Sequence, residues 1–208
     1  MTSNREHWEA VYDGKRSAEM SWYQSDPSVS LKLIQATGVG CDAGVLDVGG
    51  GASVLVDRLV GVGFQRLGVL DLSKSALAAA RARLGTAANQ VEWLEADVLD
   101  YHPPTPWDVW HDRAVFHFLV DDADRLQYRA SLYRTVPEGG HAIVATFGPD
   151  GPERCSGLPT LRCSASQIED ALGEGVRLVE ERTEYHTTPS GAVQQFVYAR
   201  FQRVRTPT

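Results

Sequence analysis

The 208-residue chain has 43% hydrophobic and 23% charged residues and a formal net charge of −7, which is ordinary for a globular protein. The acidic balance excludes non-specific nucleic-acid binding, which needs a basic surface against the phosphate backbone. No apolar run approaches the roughly 20 residues of a membrane-spanning helix, and the polar N-terminus lacks the apolar core of a signal peptide. Three cysteines without metal-ligand spacing predict a reduced, cytoplasmic protein with no metal site.

The first 40 residues precede the first predicted strand and are predicted to form a helical cover. Short helices are predicted over 6–12 and 28–37, the second beginning after Pro27. Between them, Trp22 and Tyr23 are adjacent large aromatic residues in an otherwise polar stretch. They are candidates to cover a bound ligand, and packing against the sheet edge is an equally good interpretation.

From residue 41 onward, apolar strand-like runs alternate with helix-like segments. Strands are predicted at 44–48, 67–70, 91–94, 107–111 and 141–147, with helices at 52–59, 73–84 and 122–134. Ser73 suits the N-cap of its helix, and Gly85 suits the position just beyond the end of that helix. Such alternation predicts a doubly wound parallel sheet.

The last part of the chain departs from this alternation. A helix is predicted over 164–172, with Ser164 or Ser166 as its N-cap. Two strands follow over 177–187 and 193–202, with a turn at 189–191. Two strands joined directly in this way form an antiparallel hairpin. The sequence therefore predicts a single α/β domain over 1–208, with a core from 41 to 208. Its Rossmann-like, mostly parallel seven-stranded sheet ends in that hairpin.

The turn after the first predicted strand contains Gly49, Gly50 and Gly51. Glycines at a strand-to-helix turn let the backbone approach a ligand closely. The dinucleotide fingerprint needs a small residue where Val54 stands, which disfavours a nicotinamide dehydrogenase. Asp47, just before the glycines, would repel a pyrophosphate but suits a ligand that carries an ammonium group.

Two further acids follow the next two predicted strands. Asp71, beside Leu72, is placed to accept both hydrogens of a ribose diol. Asp97, beside Val98, can accept a hydrogen bond from an adenine amino group, while Leu72 or Val98 packs on the ring. Any one of these acids could simply cap a helix, but three acids at three strand ends favour a nucleoside site.

These segments (Leu46 to Gly51, Asp71 to Ser73 and Ala96 to Val98) resemble the class I S-adenosylmethionine-dependent methyltransferases over about residues 42–147. The terminal hairpin also fits that fold. The resemblance implies that S-adenosylmethionine is the cofactor. It places the methionine part on the glycine loop, the ribose on Asp71 and the adenine at Asp97. Ser53 departs from the usual third spaced glycine of the family, which leaves the path of the loop open.

The stretch 107–119 spans the fourth predicted strand and the turn beyond it, where open α/β sheets place their ligands. Asp112 and Arg113 are therefore candidate cofactor contacts, and His117 is a candidate general base or acceptor-orienting group. A half-buried helical histidine is the alternative for His117, and His111 is expected in the core. The stretch resembles the fourth motif of small-molecule methyltransferases, including thiopurine- and tellurite-resistance-type enzymes, in which the backbone here faces the sulfonium.

The segment 148–159 is long enough to be a lid or binding loop over the same crevice. Cys155 within it and Cys163 beyond it could bind a soft acceptor such as a metalloid, although reduced, packed cysteines are commoner.

Together these features predict methyl transfer to a small molecule with a thiol, hydroxyl, amine or metalloid-type acceptor. The alternative within the enzyme class is a protein-lysine methyltransferase, because Trp22-Tyr23 also resembles the region before the domain in some of those enzymes. Their Asn-Pro-Pro-Tyr-type turn is not evident after the fourth strand, and Asp112-Arg113 only loosely resembles its acidic variant. A non-catalytic module that binds S-adenosylmethionine is the alternative outside that class.

Overall fold

The computed structural model describes residues 4–14 and 17–205. Residues 1–3, 15–16 and 206–208, which the predicted domain includes, lie outside the described residues. The described helices are α1 (Asn4–Gly14), α2 (Ser28–Gln35), α3 (Leu55–Gly61), α4 (Lys74–Leu84), α5 (Asp122–Thr135) and α6 (Ala165–Leu172). The described strands are β1 (Gly44–Val48), β2 (Arg66–Asp71), β3 (Val91–Glu95), β4 (Val109–Arg113), β5 (His141–Phe147), β6 (Arg154–Cys155), β7 (Leu158–Pro159), β8 (Val176–Thr187) and β9 (Val193–Arg203).

Seven strands form one sheet in the order β3-β2-β1-β4-β5-β9-β8. The pairs among β1 to β5 are parallel, whereas β9 pairs antiparallel with both β5 and β8. The order reverses between β1 and β4, and ligands of doubly wound sheets bind beyond the carboxyl ends of the strands at such a point. The predicted Rossmann-like sheet and its C-terminal antiparallel hairpin are confirmed.

Every residue of β1 and of β5 is buried, as expected for central strands covered on both faces. Alternate residues of each strand enter two separate cores, since successive side chains point to opposite faces. In β1, Leu46 packs with α5 and α6, while Val45 packs with α2 and α3. The sheet thus holds its strand ends rigidly between two helical layers.

Two element boundaries differ from the prediction for local reasons. The third helix begins at Leu55 rather than at 52, because the Ser53 amide still bonds to the Gly50 carbonyl at 2.7 Å within the glycine turn. The fourth strand covers Val109–Arg113 rather than 107–111. Trp107, 1% exposed, lies before the strand and donates its amide to the Thr135 carbonyl at 2.8 Å.

The predicted caps hold their helices as expected. Ser73 Oγ accepts from the Ala76 amide at the start of α4, and Gly85 follows the last residue of that helix. At α6, Ser164 and Gln167 form a reciprocal capping box. None of the described helices is long and apolar enough to span a lipid bilayer.

Candidate active site

Two adjoining cavities lie over the carboxyl ends of the parallel strands. The larger has a volume of about 330 Å³ and the smaller about 50 Å³. Tyr12, Trp22, Gly49 and Arg113 line both, so the two cavities meet at these residues. The larger cavity extends toward β2 and β3, and the smaller one runs under the N-terminal segment.

The glycine turn fits tightly against its neighbours. Gly49 has a φ of +64°, and a Cβ atom there would lie 2.0 Å from Val115 Cγ2. At Gly50 a Cβ would lie 2.6 Å from the Asp47 carboxylate. At Gly51 it would lie 2.7 Å from the Tyr12 hydroxyl. Only glycine therefore lets this turn lie directly against the walls of both cavities.

Asp71, Leu72, Asp97 and Val98 all line the larger cavity. Asp71 Oδ1 accepts from the Ser73 amide at 2.8 Å, and Asp97 Oδ1 accepts from the Leu99 amide at 2.9 Å. Burial, together with the negative charge of Asp47, raises the pKa of Asp71 to about 7. Two acids and two apolar side chains thus face one cavity, an arrangement that suits a nucleoside.

Asp47 lines the smaller cavity and is 3% exposed. Its Oδ1 lies 2.7 Å from His111 Nδ1, and His111 Nε2 lies 2.9 Å from Ser30 Oγ. The second carboxylate oxygen, Oδ2, is buried and has no hydrogen-bond partner among the described residues. His111 is buried as expected from the sequence, but it bonds to a candidate site residue.

Arg113 supplies the opposite charge to the smaller cavity. Its Nε donates to the Tyr198 hydroxyl at 2.8 Å and its Nη1 to the Trp22 carbonyl at 3.0 Å. Nη2 is buried without a hydrogen-bond partner in the described chain, since Glu184 Oε2 lies 3.8 Å away. An α-amino-acid group carries the ammonium and the carboxylate that Asp47 Oδ2 and Arg113 Nη2 would bind.

Asp112, a predicted cofactor contact, lines neither cavity. It is fully buried and accepts hydrogen bonds from the Val115 amide, the Phe116 amide and the Tyr128 hydroxyl at 2.8, 3.0 and 2.6 Å. Burial raises its pKa to about 6. Asp112 instead holds the turn after β4, in which Ala114 has a φ of 80°.

His117 lines the larger cavity and is fully buried, with neither ring nitrogen hydrogen-bonded within the described residues. Its ring lies 4.3 Å from that of Phe118 and 4.6 Å from that of Phe147, between ring centroids. Burial, together with the charge of Arg113, lowers the pKa of His117 to about 3. Burial therefore favours the neutral imidazole, and the role of His117 as a general base stays a prediction.

Aromatic side chains from the N-terminal segment close the cavities. Trp22 lines both of them and Tyr23 lines the smaller one. Sequence reasoning missed Trp8 and Tyr12 of α1, which line the larger cavity and lie 5.9 and 6.2 Å from the Trp22 ring. Their spacing of four residues places them on one face of a helix, which is the signal that could have identified them.

The segment after β5 covers the end of the larger cavity near His117. It contains the short β6–β7 ladder, from which Cys155, Leu158 and Pro159 line the cavity. The Leu161 amide donates to the His117 carbonyl at 2.8 Å. Burial raises the pKa of the Cys155 thiol, and Cys163 packs in the core instead of lining either cavity. The described residues contain no cluster of three or more metal-ligating side chains.

Comparisons with known proteins agree with this geometry. Residues 45–140 match a family model described as a methyltransferase domain. The chain is 25% identical over 197 residues to EEF1A lysine methyltransferase 2 from Mus musculus, with 85% of this chain and 73% of that protein covered.

Two solved structures have a similar fold over almost the whole chain. One comes from work on the conversion of a disulfide bond into a thioacetal group during echinomycin biosynthesis. It has a TM-score of 0.77 at 20% identity, covering 99% of this chain and 95% of that one. The other is the N-methyltransferase NodS from Bradyrhizobium japonicum WM9 in complex with S-adenosyl-L-homocysteine. It has a TM-score of 0.72 at 15% identity, covering 98% of this chain and 100% of that one. The glycine turn, the acid-lined cavity and the match to a methyltransferase-domain model coincide on one sheet edge, and together they support an S-adenosylmethionine-dependent methyltransferase.

Proposed function

We propose that this enzyme methylates a small molecule whose acceptor atom needs no strong base, such as a thiol sulfur or a weakly basic nitrogen. The observation that carries the proposal is the wall around His117, whose two ring nitrogens have no hydrogen-bond partner in the described part of the chain and whose ring packs against those of Phe118 and Phe147. The larger cavity, of about 330 Å³, also has to hold the adenosine of the cofactor, so the acceptor is small.

The adenosine half of the cofactor fits the part of the larger cavity next to β2 and β3. We assign the ribose diol to Asp71 and the adenine amino group to Asp97, with Leu72 and Val98 against the adenine ring. All four side chains line that cavity.

The amino-acid half fits the smaller cavity, since the unpaired oxygen of Asp47 can accept from the ammonium group. Arg113 Nη2 can bind the carboxylate, because neither of these buried atoms has a hydrogen-bond partner in the described chain and Nη2 forms only a long ion pair, 3.8 Å, with Glu184. Gly49 and Gly50 of the glycine turn line the same cavity, as do Trp22 and Tyr23.

When bound, the cofactor supplies an electrophilic methyl group on a sulfonium. The chain positions the acceptor in line with that group and excludes water, which is where most of the rate acceleration of such a transfer arises. The ring of Phe196, 4.1 Å from the Arg113 guanidinium carbon, and the ring of Phe147 line the same cavity. Aromatic faces of this kind stabilise a positive charge.

His117 sets the chemistry of the acceptor. A neutral imidazole can donate one hydrogen bond and accept one, and thereby orient the acceptor atom. With a pKa of about 3 it cannot keep a proton taken from the acceptor at neutral pH. An aliphatic hydroxyl group is therefore a poor substrate, and so is an alkylammonium group, which must lose a proton before its nitrogen can accept a methyl group.

A protein lysine is the second candidate acceptor, and the similarity to the mouse lysine methyltransferase favours it. Asp121 and Asp124 also line the larger cavity, at the start of α5, and could attract an ammonium group. Small-molecule acceptors and a lysine side chain can therefore be compared directly as substrates.

The proposal is tested by incubating the enzyme with S-adenosylmethionine carrying an isotope-labelled methyl group. The acceptors are thiophenols, pyridines, aliphatic alcohols and a lysine-rich peptide. We expect label in the thiols or the pyridines, at an unchanged rate in an Asp121→Asn/Asp124→Asn variant. Label in the peptide alone, lost in that double variant, would overturn the proposal in favour of lysine methylation. Cofactor binding without transfer to any acceptor would indicate a non-catalytic module.

A further inference from the structure

Three buried polar side chains that line the smaller cavity form a continuous hydrogen-bonded chain. Ser30 Oγ lies 2.9 Å from His111 Nε2, and His111 Nδ1 lies 2.7 Å from Asp47 Oδ1. The exposed fractions are 1% for Ser30, 2% for His111 and 3% for Asp47. A buried polar atom without a hydrogen-bond partner destabilises the folded protein. The unpaired atom among these three side chains therefore needs an explanation.

That atom is Asp47 Oδ2, and Asp47 lines the smaller cavity. The parallel register of β1 and β4 sets Asp47 directly beside His111. Gly50 leaves room for the carboxylate, since a Cβ there would lie 2.6 Å from Oδ2. One oxygen is therefore fixed by the imidazole, while the other is buried and has no hydrogen-bond partner among the described residues.

From this geometry we infer that Ser30 and His111 are positioning residues, which orient Asp47 so that its free oxygen receives the ammonium group of S-adenosylmethionine. The inference rests on the proposed placement of the amino-acid half of the cofactor in the smaller cavity. One neutral tautomer satisfies the whole chain: His111 Nδ1–H donates to Asp47, and the Ser30 hydroxyl donates to Nε2.

The chain also joins the N-terminal segment to the cofactor site. Ser30 belongs to α2, whose Leu33 and Ile34 pack in the core formed with β1 and β4. Docking of α2 on the sheet therefore brings the hydroxyl to the imidazole and completes the orientation of Asp47. Because Ser30 and His111 act through Asp47, they should affect the affinity only for ligands that carry the amino-acid group.

Two probes separate positioning from a general structural role. S-adenosylhomocysteine carries the amino-acid group, whereas 5'-methylthioadenosine has the same adenosine and thioether without it. We expect His111→Phe to weaken S-adenosylhomocysteine binding on the order of tenfold, as for the loss of a hydrogen bond to a charged group, and to leave 5'-methylthioadenosine binding unchanged. His111→Asn retains a donor toward Asp47 and should recover most of the affinity, and Ser30→Ala should show a smaller selective loss.

Calorimetric titration of both probes into each variant gives the result. His141→Phe is the matched control, because His141 is also buried but lies at the opposite end of the sheet, opposite Val109 on β4. Equal loss of affinity for both probes in His111→Phe and Ser30→Ala, or no loss in either variant, would overturn the inference. If the unaltered enzyme does not bind S-adenosylhomocysteine more tightly than 5'-methylthioadenosine, the placement of the amino-acid half fails instead. Should His111→Phe not fold, the Ser30→Ala result alone decides.

Discussion

The buried Asp71 carboxyl group is expected to destabilise the free protein at neutral pH. Burial and the charges of Asp47 and Glu9 raise its pKa from 3.8 to about 7, so the folded chain holds this proton more tightly than the unfolded chain does. Between these two values the folded state binds more protons, and its stability therefore falls as the pH rises. Asp71→Asn removes the charge and keeps an oxygen that can accept from the Ser73 amide.

The size of the effect follows from the two pKa values. The pKa rises from 3.8 to about 7, and each pKa unit is worth 1.36 kcal/mol. At pH 8 the ionised Asp71 therefore lowers the free energy of unfolding by about 4 kcal/mol. The new amide group adds buried donors, which cost about 1–3 kcal/mol. The net gain for Asp71→Asn at pH 8 is then about 1–3 kcal/mol. At pH 5 the carboxyl group is already protonated, and the advantage of the variant is about 2–3 kcal/mol smaller.

Chemical denaturation at pH 5 and pH 8 measures the difference in free energy of unfolding between the unaltered protein and Asp71→Asn. The contributions of the other titrating groups are the same in both proteins and cancel in this difference. The same pair of proteins is titrated with 5'-methylthioadenosine, whose affinity for Asp71→Asn should fall by about 10–100-fold as the charged acceptor of the ribose diol is lost. A stability difference that does not change with pH would refute the reasoning about burial. An unchanged affinity would remove Asp71 from the cofactor site.

Three further variants test other parts of the site. Gly49→Ala should reduce S-adenosylhomocysteine affinity more than tenfold in calorimetry, because its Cβ would lie 2.0 Å from Val115 Cγ2. Adding Val115→Ala should restore part of the loss, and no restoration would contradict this explanation. Tyr128→Phe removes the hydroxyl that donates to Asp112 and should lower the free energy of unfolding by about 1–3 kcal/mol, with cofactor affinity retained. A large loss of affinity would return Asp112 to the cofactor site. His117→Phe should lower turnover at least tenfold without changing cofactor affinity or the pH–rate profile between pH 6 and 8, since the His117 pKa is about 3. A profile that loses a step near pH 6.5 would show that His117 acts as a base.

The strands and helix caps could be predicted from sequence because their signals are local. Ser73 and Ser164 each cap a helix through bonds that span three residues. The two long C-terminal strands meet across one short turn, which fixes their antiparallel pairing. Such features depend on neighbours in the chain, and the sequence displays those directly.

The orientation of a side chain at a strand end could not be predicted in this way. Asp112 lies at the carboxyl end of a parallel strand, as Asp71 does. Its side chain nevertheless turns inward and accepts hydrogen bonds from two amides and the Tyr128 hydroxyl. The bond between Asp47 and His111 depends on the register of β1 and β4, which joins residues 64 positions apart. Tyr12 reaches the glycine turn only because α1 docks on α4, where Glu9 accepts from the Lys74 amide at 2.5 Å.

The placement of the cofactor is tested most directly by a crystal structure of the enzyme with S-adenosylhomocysteine. We predict that the ribose diol binds to Asp71, the adenine amino group to Asp97, and the amino-acid group between Asp47 Oδ2 and Arg113 Nη2. The sulfur should then face the wall formed by His117 and Phe147. An amino-acid group outside the smaller cavity, or a sulfur atom directed away from His117, would contradict this placement.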